Sequence, residues 1–217
     1  YKDNKRYEDA IKMFTKAKEI YSALKKDREA LESYQKIIKK DPSLPGPYYN
    51  RGIILRRNGR VKEAIDSYKK AISLKSDYVQ AHNNLGILYK DNKKYEDAIK
   101  MFTRAKELQP DHQNSYYNLG LIKKEQGLGE EAIDLFLKVL DLNPEHTEAK
   151  YNISVIKLDK GLLEESKEYL QEVFRSDENH EGAAKYLAIV ALKQERFDEV
   201  WKYYEYRWNV SPGNKAI

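Results

Sequence analysis

The chain has 217 residues, 41% of them hydrophobic and 35% charged, with a mean hydropathy of -0.85 and a formal net charge of +5. This composition folds, yet its low hydropathy at this length suits an elongated protein whose modules bury only the faces that touch their neighbours. The 40 basic and 35 acidic residues are interleaved, which points to a mixed solvated surface rather than a nucleic-acid groove, and the absence of cysteine excludes disulfides and thiolate chemistry.

In chain order, the first segment, Tyr1–Ile20, nearly repeats Tyr89–Leu108, including the phrase Tyr-Glu-Asp-Ala-Ile-Lys-Met-Phe. Ala10 is therefore the first of a series of equivalent alanines. Ala30 follows after 20 residues; Ala64, Ala98 and Ala132 then recur every 34, and Ser166 and Val200 continue the step. The first interval is fourteen residues short of the period. Two readings stand: either a stretch between Ile20 and Tyr21 is left out, or helix runs into helix there. The first is favoured, because no turn signal follows Lys18-Glu19-Ile20. The chain starts inside a helical pattern and shows no leader sequence, so it is expected to be part of a longer, cytoplasmic protein. Its apolar runs are too short for a membrane span.

Each later unit holds two helical stretches. The pattern predicts pairs at 46–58 and 62–74, 80–92 and 96–108, 114–126 and 130–142, 148–160 and 164–176, and 182–194 and 198–208. Gly59, Asn92-Lys93, Gly127 and Gly161 hold the turns within pairs, where a left-handed residue ends a helix. Pro42, Pro110, Pro144 and Pro212 punctuate the breaks between pairs. In each second helix an aromatic or leucine follows the alanine by four residues: Tyr34, Tyr68, Phe102, Phe136, Leu170 and Tyr204. Spacings of three and four, as in Tyr95, Ala98, Ile99, Phe102 and Ala105, make one apolar stripe. One hairpin cannot bury such a stripe alone, so neighbours must stack. The expected organisation is one solenoid over 1–217: a fragment at 1–20, a partial unit at 21–44, units at 45–78, 79–112, 113–146 and 147–180, and a C-terminal cap at 181–214.

Leu85-Gly86 with Tyr89, Leu119-Gly120, the 34-residue period and the later Ala, Phe and Pro together resemble the tetratricopeptide repeat signature. Tyr48 and Tyr116 stand where that family often has Trp, and the fifth unit has Ser154 for Gly and Ser166 for Ala. The resemblance covers nearly the whole chain. It implies an all-α, right-handed superhelical solenoid that holds a peptide or protein in its concave groove, without catalysis or cofactor.

No catalytic constellation is present, neither a phosphate-cradling glycine loop nor a His-Glu-x-x-His motif, so no catalytic or metal-ligating residue is expected. His112, His146 and His180 share the 34-residue spacing but fall at the same corner of successive units, too far apart for one metal ion, and are read as polar loop residues. The more informative row lies on the first helices. Asn50, Asn84, Asn118 and Asn152 recur in register, and an amide offers both a donor and an acceptor to a peptide backbone. The row is similar to the asparagine ladder in the repeat region of O-linked N-acetylglucosamine transferases. One position earlier stand Tyr49, Asn83, Tyr117 and Tyr151; six later stand Arg56, Lys90 and Lys124. These residues are expected to form an accessible groove with aromatic and basic walls. The carboxylate-gripping set of the heat-shock chaperone adaptors is not in register.

The last unit departs from the pattern. Trp201, Tyr204, Arg207 and Trp208 form a candidate docking surface, with Trp201 and Trp208 expected on the buried face where earlier units carry Ile99 and Leu140. Arg207 replaces the small residue that would admit a further hairpin. This end resembles the close of the repeat region in bacterial proteins that continue into a glycosyltransferase-like domain. That resemblance implies an alternative role as the non-catalytic, substrate-recruiting arm of a larger enzyme.

Overall fold

The computed structural model describes the backbone over residues 25–210 and side chains as far as Tyr203. The junction at Ile20 and Tyr21 lies outside the described residues. The chain divides into two compact units, Tyr1–Met101 and Phe102–Ile217. Every regular element among the described residues is a helix. The first unit holds α1 (residues 25–40), α2 (Pro45–Arg57), α3 (Val61–Leu74) and α4 (Val79–Asp91); α5 (Tyr95–Leu108) crosses the division. The second holds α6 (Gln113–Glu125), α7 (Gly129–Leu142), α8 (Thr147–Asp159), α9 (Leu163–Ser176), α10 (Glu181–Lys193) and α11 (Phe197–Val210). The first helix of each expected pair begins and ends one residue earlier than its spacing predicts.

Local chemistry sets these boundaries. Pro45 opens α2 at its first turn, where its missing N–H is no loss. The second helices open on carboxylates, such as Glu130 and Glu131, and the first helices close on cations, such as Lys123 and Lys124. Both placements complement the helix dipole. Between the members of each pair, one residue takes positive φ: Gly59, Gly127 and Gly161 at +71°, +75° and +78°, Lys93 and Glu195 at +58°. The residue that follows donates its N–H back five positions, as Leu128 does to Lys123 O at 2.9 Å and Lys94 to Tyr89 O at 2.8 Å. This is the Schellman pattern, and it makes glycine the favoured residue at the left-handed site. Lys93→Gly is therefore expected to raise the unfolding free energy by about 0.5–1 kcal/mol, the left-handed strain relieved less the added chain entropy. A urea midpoint that fails to rise would show that Lys93 is held there by contacts worth as much as the strain.

Helix pairs close where one partner has no side chain. A Cβ built on Gly52 would lie 2.6 Å from the Tyr68 ring, and one on Gly120 would lie 2.7 Å from the Phe136 ring. Tyr68 and Phe136 are fully buried, as are Ala64 and Ala132 one turn earlier. The α8–α9 pair solves the same contact differently. Leu170 replaces the ring, and Ser166 Oγ donates to Ser154 O at 2.8 Å, so both serines are satisfied at 0% exposure. Within the second unit α7 packs on α8 and α9 on α10. Ala132, Ile133, Phe136 and Val139 meet Ala149, Ile153 and Ile156 across the first of these interfaces. In the first unit Tyr48, Ala71 and Ala81 form the matching cluster, and Arg57 donates from Nε to Asp27 Oδ2 at 3.0 Å, tying α2 to α1.

Candidate functional site

The tyrosines of the first helices are held between two aromatic neighbours. Tyr49 lies 5.9 Å, centroid to centroid, from Tyr68 of its own hairpin and 4.8 Å from Tyr78 at the entry to the next. Tyr117 repeats this with Phe136 at 5.7 Å and His146 at 5.0 Å. Tyr151 lies 4.8 Å from His180 and 5.9 Å from Tyr186. Burial raises the pKa of all three phenols, so their hydroxyls stay protonated. Each hydroxyl with an asparagine in the next repeat accepts from it: Asn84 Nδ2 donates to Tyr49 Oη at 3.2 Å, and Asn152 Nδ2 to Tyr117 Oη at 3.3 Å. At the third step Tyr186 holds the asparagine position, and its ring replaces the amide.

Lys124 extends the second-unit network. Its Nζ donates to Asn152 Oδ1 at 2.7 Å, while Asn152 Nδ2 also donates to Glu148 O at 2.8 Å. Burial lowers the Lys124 pKa, and Asp159 and Glu125 pull it back up. Tyr117, Asn152 and Lys124 thus form one linked row, and Tyr49 with Asn84 a shorter one, while Arg56 stands exposed in the last turn of α2. Asn50 and Lys90 are half-buried. Asn83 is 7% exposed, and its Oδ1 has no hydrogen-bond partner among the described residues.

The expectation of accessible amides needs correction. Asn118 is 8% and Asn152 6% exposed, because each turns its Nδ2 back to the carbonyl four residues earlier. Asn152 has its carbonyl oxygen taken as well. Two of the histidines are helix caps rather than plain loop residues. His146 Nδ1 accepts from Ala149 N at 3.1 Å and His180 Nδ1 from Ala183 N at 3.0 Å. Their position immediately before a first helix was the available signal. His112 Nδ1 lies 2.8 Å from Ser115 Oγ, and burial lowers its pKa against the pull of Asp111. Among the described residues no group of three or more His, Asp or Glu could hold a metal ion, and no helix is long and apolar enough to cross a membrane.

Family models described as tetratricopeptide repeat match residues 19–43, 33–66, 79–112, 113–146 and 147–180, and one described as TPR repeat matches 54–93. Together they run from residue 19 to 180 without a break. The chain belongs to the tetratricopeptide repeat family. No curated protein matches it. Among solved structures it is similar to YrrB, described as a TPR protein with an unusual peptide-binding site: 21% identity over 85% of this chain and 95% of that one, with a TM-score of 0.69. MamA is 26% identical over 68% of this chain and 86% of its own, with a TM-score of 0.64. PilF of Pseudomonas aeruginosa is 20% identical over 89% and 88%, with a TM-score of 0.77. The fold is that of a tetratricopeptide helical-repeat solenoid.

In this tetratricopeptide repeat chain the polar row changes character toward the C-terminus. The positions filled by Tyr117, Asn152 and Lys124 become Tyr151, Tyr186 and Leu158 one repeat later. There a cleft of ≈ 670 Å³ opens between α8, α10 and α11, lined in part by Tyr151, Tyr186, Ile189, Leu192, Val200 and Tyr203. Trp201, expected on the buried face, is instead 65% exposed. Its counterpart Ile133 is 7% exposed because α8 covers it. The side chains of Tyr204, Arg207 and Trp208 lie outside the described residues.

Proposed function

We propose that the chain is a scaffold that holds an extended peptide or protein segment on the tyrosine, asparagine and basic rows that each unit carries on its first helices. The observation that carries this reading is the recurrence of one polar arrangement, tyrosine hydroxyl to next-repeat amide at 3.2 and 3.3 Å, in both units. The rings are fixed by stacking, so a ligand meets hydroxyls, the half-buried Asn84 amide and cations that lose little freedom on binding. Arg56 and Lys124 favour a segment with carboxylates, in keeping with the net charge of +5.

The test selects binders from a random-peptide display library on the full chain, then measures them against Asn84→Ala, Tyr117→Phe and Lys124→Ala. Tyr117→Phe keeps the stacked ring and removes only the hydroxyl. Binding is expected to weaken by about 0.5–1.5 kcal/mol for each neutral hydrogen bond lost and by about 1.5–3 kcal/mol for Lys124. Thermal stability should stay within about 0.5 kcal/mol for the half-exposed Asn84. Unchanged affinity with a lowered melting temperature would make the row a brace between repeats and end the groove reading.

A further inference from the structure

The α2–α3 hairpin buries a hydroxyl where the α6–α7 hairpin has none. Tyr68 stands at the position of Phe136, and its ring crosses Gly52 as the Phe136 ring crosses Gly120. Tyr49 lies three residues before Gly52 and Arg56 four after it, so both share the helix face that the ring crosses. The Tyr49 ring is 5.9 Å from that of Tyr68. Tyr68 is 0% exposed, and its Oη has no hydrogen-bond partner among the described residues. A buried hydroxyl left unpaired is destabilising, and a phenylalanine would fill the same contact without it.

The groups around this hydroxyl offer more donors than acceptors. Burial pushes the Tyr68 phenol up to about 12, against the pull of Arg56 and Asn84, and burial raises Tyr49 as well, so both phenols keep their protons. Tyr49 Oη already accepts from Asn84 Nδ2, which leaves its own proton to give. The Arg56 guanidinium is exposed and makes no hydrogen bond or ion pair among the described residues. The second unit shows the same row satisfied from within. There Lys124 holds the position of Arg56 and donates to Asn152 Oδ1 at 2.7 Å, and Phe136 brings no hydroxyl. A carboxylate is an acceptor-only group with two oxygens, and its hydrogen bonds to a guanidinium are charge-assisted. We infer that Tyr68, Tyr49, Asn84 and Arg56 form a subsite for a carboxylate of the held segment. This rests on the reading of the row as the holding surface. The carboxylate pairs with Arg56 at the exposed rim. As the half-buried Asn84 side chain turns, it accepts from both phenols. Tyr68 is then a specificity residue as well as a core ring.

Two small probes test the subsite apart from any peptide. Glutamate blocked at both ends offers only a side-chain carboxylate, and N-acetylglycine offers only a chain-terminal one. Each is titrated into the full chain while NMR follows the Asn84 side-chain amide. A saturable shift is expected with a carboxylate probe and none with equally blocked glutamine; the tighter of the two probes names the source of the carboxylate. Arg56→Gln should weaken the binding by roughly tenfold or more, and Tyr68→Phe by roughly three- to tenfold. Tyr68→Phe should also melt at or above the temperature of the parent chain, since it keeps the ring and removes an unpaired hydroxyl. Unchanged probe affinity in Tyr68→Phe would overturn the proposal, by leaving the hydroxyl to a bound water or a structural contact. An equal shift with blocked glutamine, or no shift at Asn84 with either probe, would overturn it too. The groove reading fails separately, when display-selected peptides ignore Asn84 and Tyr117 although Asn84 still responds to the probes.

Discussion

Phe136→Ala is expected to lower the unfolding free energy of the second unit by about 3–5 kcal/mol. The ring is fully buried, lies against the Gly120 backbone and the Tyr117 ring, and shares a cluster with Ala149 and Ile153 of α8. Its removal leaves a void at a point where three helices meet, and α6 cannot collapse into it without breaking its packing on α7. Tyr117 loses one of its two flanking rings, so the variant should also loosen the polar row. Urea unfolding followed by circular dichroism measures the first effect, and the solvent accessibility of Tyr117 the second. A loss below about 1 kcal/mol would show that the pair is held elsewhere.

Gly120→Ala tests the same packing from the other side. The added methyl group would sit 2.7 Å from a rigid ring, so the helices must part or the ring must rotate. A cost of about 1–3 kcal/mol is expected from overpacking. The α8–α9 pair shows the compensation: Ser154 occupies the glycine position where Leu170 occupies the aromatic one. Gly120→Ala combined with Phe136→Leu should therefore be more stable than the sum of the single changes, by a coupling of about 0.5–3 kcal/mol. Strict additivity in denaturant midpoints would mean that the two residues do not share one packing constraint.

The repeat was legible because its cause is local and periodic. A second helix must present a small residue, then an aromatic, then a small residue at spacings of four and three, and any chain of stacked hairpins writes that pattern every 34 residues. The left-handed turn was legible for the same reason, even at Lys93, where no glycine announces it. The candidate site was only half legible. The sequence places Asn84 and Asn152 in one register row, but it does not say that an amide turns to the tyrosine of the preceding repeat, because that depends on how far one hairpin rotates against the next. Likewise His146 and His180 were visible as a series, and their role as caps was not. A helix start placed one residue away would leave each ring in the loop.

By itself, then, the sequence determined the helices, their pairing and the turn conformations. All follow from the preferences of short segments repeated in order. The tertiary structure decided which faces are covered. It buried Asn152 among Tyr117, Lys124 and Glu148, and it left Leu192, Phe197 and Trp201 exposed. Burial at a given register position depends on whether another helix stacks over it. A periodic sequence marks that position identically in every repeat, while the packing of the neighbour differs from one repeat to the next.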